Sequence, residues 1–164
     1  MKLPVVCDRN ENENPLPIWT LLLETRYAGA MIAVDTNVVV RLLVGDDPKQ
    51  AAAAESLFAS QAIWISKTVL LETGWVLRKL YGLDDHALRN VFTKLLGIRT
   101  VTVEDEPSVA AALALTVHGV DFADAMHVSS RPPGAVFVSF DRSFVRRARR
   151  AGLGEVASVP AVTM

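Results

Sequence analysis

Short runs of aliphatic and β-branched residues alternate with longer helical stretches along most of this chain. The runs cover residues 31–34, 62–65, 98–103 and 135–140. A short, almost continuous apolar run is typical of a strand buried on both faces of a parallel sheet. Strands that are joined through helices pair in parallel by right-handed crossovers. The sequence therefore predicts an α/β fold, a three-layer α/β/α sandwich with a central parallel sheet of four strands.

The helical stretches begin at residues that favour helix N-caps. Asp47 precedes a proline, Ser66 precedes an apolar helical pattern, and Asp121 and either Asp84 or Asp85 occupy similar positions further along. Side chains of this kind accept a hydrogen bond from a free backbone N–H in the first turn, so they mark where a helix begins. Helices are predicted over residues 37–44, 48–58, 66–81, 84–96, 106–119, 121–130 and 143–150.

Composition limits the classes of protein to which the chain can belong. It has 164 residues, 51% of them hydrophobic and 21% charged, with a net charge of -1, which fits a single globular domain and excludes a general basic surface for nucleic acid. Any contact with nucleic acid must be local. The single cysteine, Cys7, excludes an internal disulfide and a cysteine-based zinc site, and this pattern is typical of a reducing cytoplasm.

Residues 1–30 differ from the remainder of the chain. A polar, turn-rich stretch over residues 10–17 leads into an apolar stretch over residues 16–23, which is too short to cross a bilayer and lacks a convincing cleavage signal. Met31 then opens the first predicted strand. We therefore expect an N-terminal leader over residues 1–30 outside the core, a single domain over residues 31–164, and no association with a membrane.

Acidic residues recur just after or just inside the apolar segments. They are Asp35, Glu72, Asp124 and Asp141. The carboxyl ends of parallel strands meet at one edge of an open sheet, so these carboxylates are expected to converge there. Carboxylates a few ångströms apart repel one another unless a cation joins them, and hard divalent cations prefer oxygen ligands. The pattern indicates a site for Mg²⁺ or Mn²⁺.

Each acid also has a simpler structural interpretation. Asp35 and Asp141 both stand where a helix N-cap is expected, and either could serve only as a cap. Asp121 and Asp124 lie on one helical face, with Asp121 expected to cap the helix and Asp124 to face the site. Glu72 falls in an otherwise apolar helix, where a buried carboxylate without a partner is costly, and its structural interpretation is a position on a solvated face of that helix. Singly, none of these acids identifies a metal site.

Taken together, the acids and their neighbours match a known family. Val34-Asp35-Thr36-Asn37, then Glu72, then Asp124-Ala125-Met126-His127 and finally residues 139–144 resemble the PIN-domain ribonucleases, most closely the VapC-type toxins. The resemblance extends from Met31 to about Val159. It implies that the four acids surround Mg²⁺ or Mn²⁺, with Asn37 and Ser139 as polar support. Ser139 stands where threonine is common and keeps the hydroxyl group.

The resemblance also implies a function and partners. A chain of this kind is expected to be a metal-dependent endoribonuclease that cuts structured RNA, to be inhibited by a cognate antitoxin protein, and to form a homodimer. Arg142 directly follows Asp141 and precedes an arginine-rich helix, and together they offer positive charge for RNA phosphates. Cations in the last turn of a helix are also favoured by the helix dipole, so this run has a structural interpretation as well.

Two other classes of function remain possible on the sequence. A phospho-acceptor domain also carries acids on an α/β sheet, but it resembles this chain less, because Asp35 has no adjacent acid and Arg142 replaces the expected lysine. A partner-binding domain without nuclease activity is the other alternative. The presence of all four acids argues against it.

Overall fold

The computed structural model of the protein describes residues 29–160. The predicted leader therefore lies almost entirely outside the described residues. The helices and strands follow one another in this order: β1 (Ile32–Ala33), α1 (Thr36–Val44), α2 (Pro48–Ser60), β2 (Ile63–Ile65), α3 (Lys67–Lys79), α4 (Asp85–Leu96), β3 (Val101–Val103), α5 (Glu106–Thr116), α6 (Phe122–Ser129), β4 (Phe137–Ser139), α7 (Arg142–Arg150) and β5 (Val156–Ser158).

All strand pairs in the described part of the chain are parallel, as the alternation of strands and helices predicts. β1, β2 and β3 form a three-stranded sheet in that order, with Ile63 of β2 opposite Ile32 and Val101. β4 and β5 form a separate two-stranded group, with Phe137 opposite Val156. Helices cover these strands, and the protein has the predicted three-layer α/β/α fold.

The observed strands differ from the predicted single sheet of four strands in three respects, the first being that β4 pairs with β5 outside the three-stranded sheet. β5 was not predicted, since three residues with a single fully buried side chain, Val156, carry no periodic signal. β3 begins at Val101, although the alternating pattern starts at Ile98. The N–H of Val101 donates to the carbonyl of Ile98 at 2.9 Å, so the intervening residues form a turn rather than a strand.

Side-chain caps begin the helices where the sequence predicts them. Ser66 accepts from the N–H of Val69, and Asp84 is the cap that the sequence left undecided between two positions. Asp47 accepts two N–H bonds and is followed by proline at the first helical position, which needs no donor there. These caps fix where the helices leave the ends of the strands, and therefore where the acids lie.

The core lies between the three-stranded sheet and its helices. Ile63 and Ile65 of β2 are completely buried, as expected for a central strand. Phe92 of α4 and Phe122 of α6 pack with their ring centroids 4.8 Å apart. Their contact joins two helices that follow different strands, so it helps to fix the start of α6 relative to the sheet.

Candidate metal centre

The turn after β1 links the neighbour of the first predicted site residue to the second. Asp35 is the N-cap of α1, and its Oδ1 accepts from the N–H of Val38 at 3.0 Å. The next residue, Thr36, is buried, and its hydroxyl donates to Oε2 of Glu72 on α3 at 2.5 Å. The cap interpretation of Asp35 is thus confirmed, and it places the acid one residue from the partner of Glu72.

The N-terminus of α6 carries the third acid. Asp121 is the N-cap, as predicted, and its Oδ1 accepts from the N–H groups of Ala123 at 2.8 Å and of Asp124 at 3.4 Å. Asp121 is therefore occupied in beginning the helix. Asp124 follows one turn later and is half-buried, so its carboxylate is partly withdrawn from water.

The surroundings of Asp124 disfavour its negative charge. Burial raises the pKa of its carboxyl above the ordinary value, and the charges of Asp121 and Asp141 raise it further. Arg147 and His127 act in the opposite direction with smaller effects. An acid that is held beside other acids and partly desolvated is typical of a functional site, because a bound cation would relieve the repulsion.

Asp141, by contrast, is stabilised as an anion. It is the N-cap of α7, where its Oδ1 accepts from the N–H groups of Ser143 at 2.7 Å and Phe144 at 3.0 Å. The bond from Phe144 is the largest cause that lowers the pKa of this carboxyl, and Arg147 contributes. The N–H of Asp141 donates to Oγ of Ser139 at 3.0 Å, so the predicted support residue fixes the turn.

The four predicted acids therefore fall into two pairs. Thr36, the neighbour of Asp35, is hydrogen-bonded to Glu72, and the charge of Asp141 acts on Asp124. Within residues 29–160, no three aspartate, glutamate, histidine or cysteine side chains are grouped so as to hold a metal ion. The donors are chemically suited to Mg²⁺ or Mn²⁺, since all four are carboxylates. Their assembly around one ion remains a prediction.

Two other predicted site residues lie in the first turns of helices. Asn37 is exposed in α1 and lines an open groove of about 240 Å³, whose other lining residues come from α1 and α2. Arg142 is exposed at the first position of α7. Each of them follows a predicted metal ligand closely in sequence, at the end of β1 or of β4.

Positive charge is placed unevenly around the acids. In the described part of the chain, Arg41 is paired with Asp46 at 2.5 Å and Lys67 with Asp105 at 2.9 Å, so these two cations are already engaged. Among the arginines of α7, Arg149 donates from Nε to the carbonyl of Val156 at 2.9 Å. Arg142, Arg146, Arg149 and Arg150 are exposed, and this helix adjoins the Asp124–Asp141 pair.

One residue near the site was not anticipated. Arg78, in the last turn of α3, donates to Oδ2 of Asp121 at 2.6 Å and also contacts Asp85. A lone arginine near a helix C-terminus is normally read as a solvated cation that complements the dipole. The sequence offers no signal for this contact, because its partners are 7 and 43 positions away along the chain.

Comparison with known proteins assigns the family. The chain matches the PIN domain over residues 32–150, which is most of its length, and it belongs to that family. Searches among curated proteins and among solved structures gave no match. PIN domains are generally nucleases that depend on a divalent metal, usually Mg²⁺, and act on nucleic acid. In the part of the chain that the structure describes, no helix combines the length and apolarity needed to span a membrane.

Proposed function

We propose that this protein is a metal-dependent endoribonuclease whose site is formed by Asp35, Glu72, Asp124 and Asp141. The observation that carries the proposal is the half-buried carboxylate of Asp124, which is held beside Asp141 although burial and neighbouring charge disfavour its ionisation. A protein gains nothing in stability from such an arrangement. A cation held by this carboxylate would remove its electrostatic cost.

The chain's own residues divide the work in this proposal. The four acids would hold Mg²⁺ or Mn²⁺, which when bound acts as a Lewis acid toward the phosphodiester and lowers the pKa of the attacking water. Thr36 orients Glu72 through its hydroxyl group. Ser139 fixes the backbone of Asp141. Asn37 supplies polar support next to Asp35, and Arg142 offers a positive charge to a phosphate of the RNA.

The substrate proposed here is structured RNA. The exposed arginines of α7 supply local positive charge in a chain whose net charge is only -1. A phosphate backbone that approached the Asp124–Asp141 pair would be repelled by those acids and attracted by the arginines. Binding should therefore depend on this helix and weaken as salt concentration rises.

Removing one carboxylate from either pair of acids should abolish cleavage. We expect Asp35→Ala and Asp124→Ala to reduce Mg²⁺-dependent hydrolysis of a folded RNA by at least about 100-fold, since even residues that only support a metal ligand are worth 10–100-fold. Asp35 is also a helix cap, so a matched control is needed. Asp47→Ala removes the cap of α2, an acid outside the proposed site, and should leave cleavage within about twofold of wild type.

The outcomes separate the proposed nuclease from its alternative. If both site variants cut RNA as fast as the wild type, these residues do not form the site. A wild-type protein that cuts no RNA with Mg²⁺ or Mn²⁺ would favour a phospho-acceptor or partner-binding domain without nuclease activity.

In a bacterial host, expression of the active protein should arrest growth, and either site variant should be harmless.

We further propose that the nuclease is the toxin of a toxin–antitoxin pair and acts as a homodimer in the cytoplasm. The surface at the C-terminal part of α3 supports a partner-binding role, because Trp75 in this helix and Leu80 directly after it are 59% and 70% exposed. An acidic site is also a natural receptor for an arginine of an antitoxin, which can bind two carboxylates at once.

Inhibition by the antitoxin should therefore compete with metal. The concentration of antitoxin that halves activity should rise as Mg²⁺ is increased, and it should rise with salt, because both weaken an arginine–carboxylate contact. Inhibition that is indifferent to Mg²⁺ would reject the arginine mechanism. The molar mass in solution tests the dimer separately, and a strict monomer at tens of micromolar would reject it.

A further inference from the structure

Arg78 joins three helices through one guanidinium group. In the last turn of α3, one terminal nitrogen donates to Oδ2 of Asp121 at 2.6 Å, and the other contacts Oδ1 of Asp85 at the start of α4. The side chain is about 28% exposed. Its Nε is buried and has no hydrogen-bond partner in the part of the chain that the structure describes. The guanidinium is thus placed to serve the two carboxylates.

The contact with Asp121 reaches the first turn of α6. Oδ1 of Asp121 accepts from the N–H groups of Ala123 and Asp124, while Oδ2 accepts from Arg78. The two oxygens of one carboxylate therefore link α3 directly to the backbone of Asp124. Any rotation of the Asp121 side chain would change both sets of bonds together, so the contact with Arg78 and the cap depend on one side-chain orientation.

A second contact fixes the same turn from its apolar side. Gly74 lies one helical turn before Arg78 on α3, and a Cβ atom at this position would lie 3.2 Å from Cδ1 of Phe122. Phe122 is 3% exposed and packs on Phe92. The contact between Phe122 and Gly74 sets how closely α6 approaches α3. It does not determine how the carboxylate of Asp121 is oriented. That requirement is met by the Arg78–Asp121 pair.

We propose that Arg78 is a positioning residue for metal binding: it holds Asp121, and through Asp121 the first turn of α6, so that the carboxylate of Asp124 faces the proposed site. This inference rests on the proposed function, because it takes Asp124 to be a metal ligand. Arg78 itself touches neither metal nor RNA. Partners that orient a metal ligand are typically worth 10–100-fold in metal affinity, and Arg78 should fall in that range.

A double-mutant cycle on the full chain tests the assignment. The affinity for Mn²⁺ is measured by electron paramagnetic resonance in the absence of RNA, and melting temperatures are recorded in parallel. Arg78→Gln should weaken Mn²⁺ binding about 10-fold. Asp121→Asn keeps a cap acceptor but loses the ion pair, and should weaken binding similarly. The double variant should be no weaker than the worse single variant, because both changes break one link.

Asp85→Asn is the matched control. It removes the other carboxylate that Arg78 contacts, so it should lower the melting temperature while leaving Mn²⁺ affinity within about twofold of wild type. Equal Mn²⁺ affinity in wild type and Arg78→Gln would overturn the inference and leave the proposed nuclease standing, and so would strictly additive effects in the cycle. Absence of Mn²⁺ binding by the wild-type protein would overturn both proposals.

Discussion

At the residue scale, neighbouring carboxylates differ in how the fold treats their charge. Burial and the charges of Asp121 and Asp141 raise the pKa of Asp124, whereas N–H donors lower the pKa of Asp141. The pH dependence of stability must therefore have opposite signs at the two positions. As pH rises, Asp124 keeps its proton to a higher pH in the folded chain than in the unfolded chain, whereas Asp141 loses its proton at a lower pH in the folded chain.

Asp124→Asn should stabilise the metal-free protein at neutral pH. Since the folded pKa is raised, the unfolded state ionises first as pH increases, and the wild type loses stability between the unfolded and the folded pKa. An uncharged amide avoids this loss. We expect a rise in melting temperature of about 2 °C at pH 7, which corresponds to a gain of well under 1 kcal/mol in the free energy of unfolding, because the site is partly exposed. Below the unfolded pKa of about 4, the variant and the wild type should not differ.

Asp141→Asn provides the contrast. The folded pKa of Asp141 is depressed, so its stabilising effect is present above the unfolded pKa and disappears as pH falls through the folded value. This variant should lower the melting temperature at pH 7 and approach wild type in acid.

Added Mg²⁺ should raise the melting temperature of wild type more than that of Asp124→Asn. Equal responses to Mg²⁺, or a less stable Asp124→Asn at pH 7, would contradict the role given to Asp124.

Single residues also show why the site was only partly predictable. Asp35, Asp121 and Asp141 are all helix caps. An aspartate directly after a strand is favoured both as a helix cap and as a metal ligand, so the sequence does not distinguish the two roles. The cap positions could be predicted from local chemistry. The bond from Thr36 to Glu72 could not, because it joins residues 36 positions apart.

At the scale of helices and strands, local signals predicted most of the fold. The caps at Ser66, Asp84 and Asp121 are confirmed, because a side chain that satisfies a backbone N–H acts within three residues of itself. β5 shows the limit of such signals. Its pairing with β4 places Val156 opposite Phe137, and no three-residue window of the sequence contains information on so distant a partner.

The close approach of α3 to α6 is a property of two elements together. Gly74 lies in the middle of a helix, where glycine costs about 1 kcal/mol in helix stability relative to alanine. The reason is found on the other helix, where Phe122 occupies the space that a Cβ would need. The polar half of the same contact, from Arg78 to Asp121, was missed for the same reason.

At the scale of the whole molecule, the described strands leave apolar surface uncovered. Val136, Val138 and Phe140 alternate along the β4 segment and are 60%, 56% and 84% exposed, and Met31 at the head of β1 is 55% exposed. Surface of this kind usually marks a contact with something else. A second copy of the chain is the occupant that the proposed homodimer offers, and residues 1–30, almost all of which lie outside the described residues, are the alternative to be tested.

Removing the leader distinguishes these occupants. We propose that residues 1–30 stand outside the domain formed by residues 31–164, because every proposed ligand lies after Met31. A chain that begins at Met31 should therefore melt within about 2 °C of the full chain and cut RNA equally well. Trp19→Ala in the full chain is the matched control and should also be neutral. A drop of more than about 8 °C, roughly 2 kcal/mol for a domain of this size, would show that the leader packs on the body.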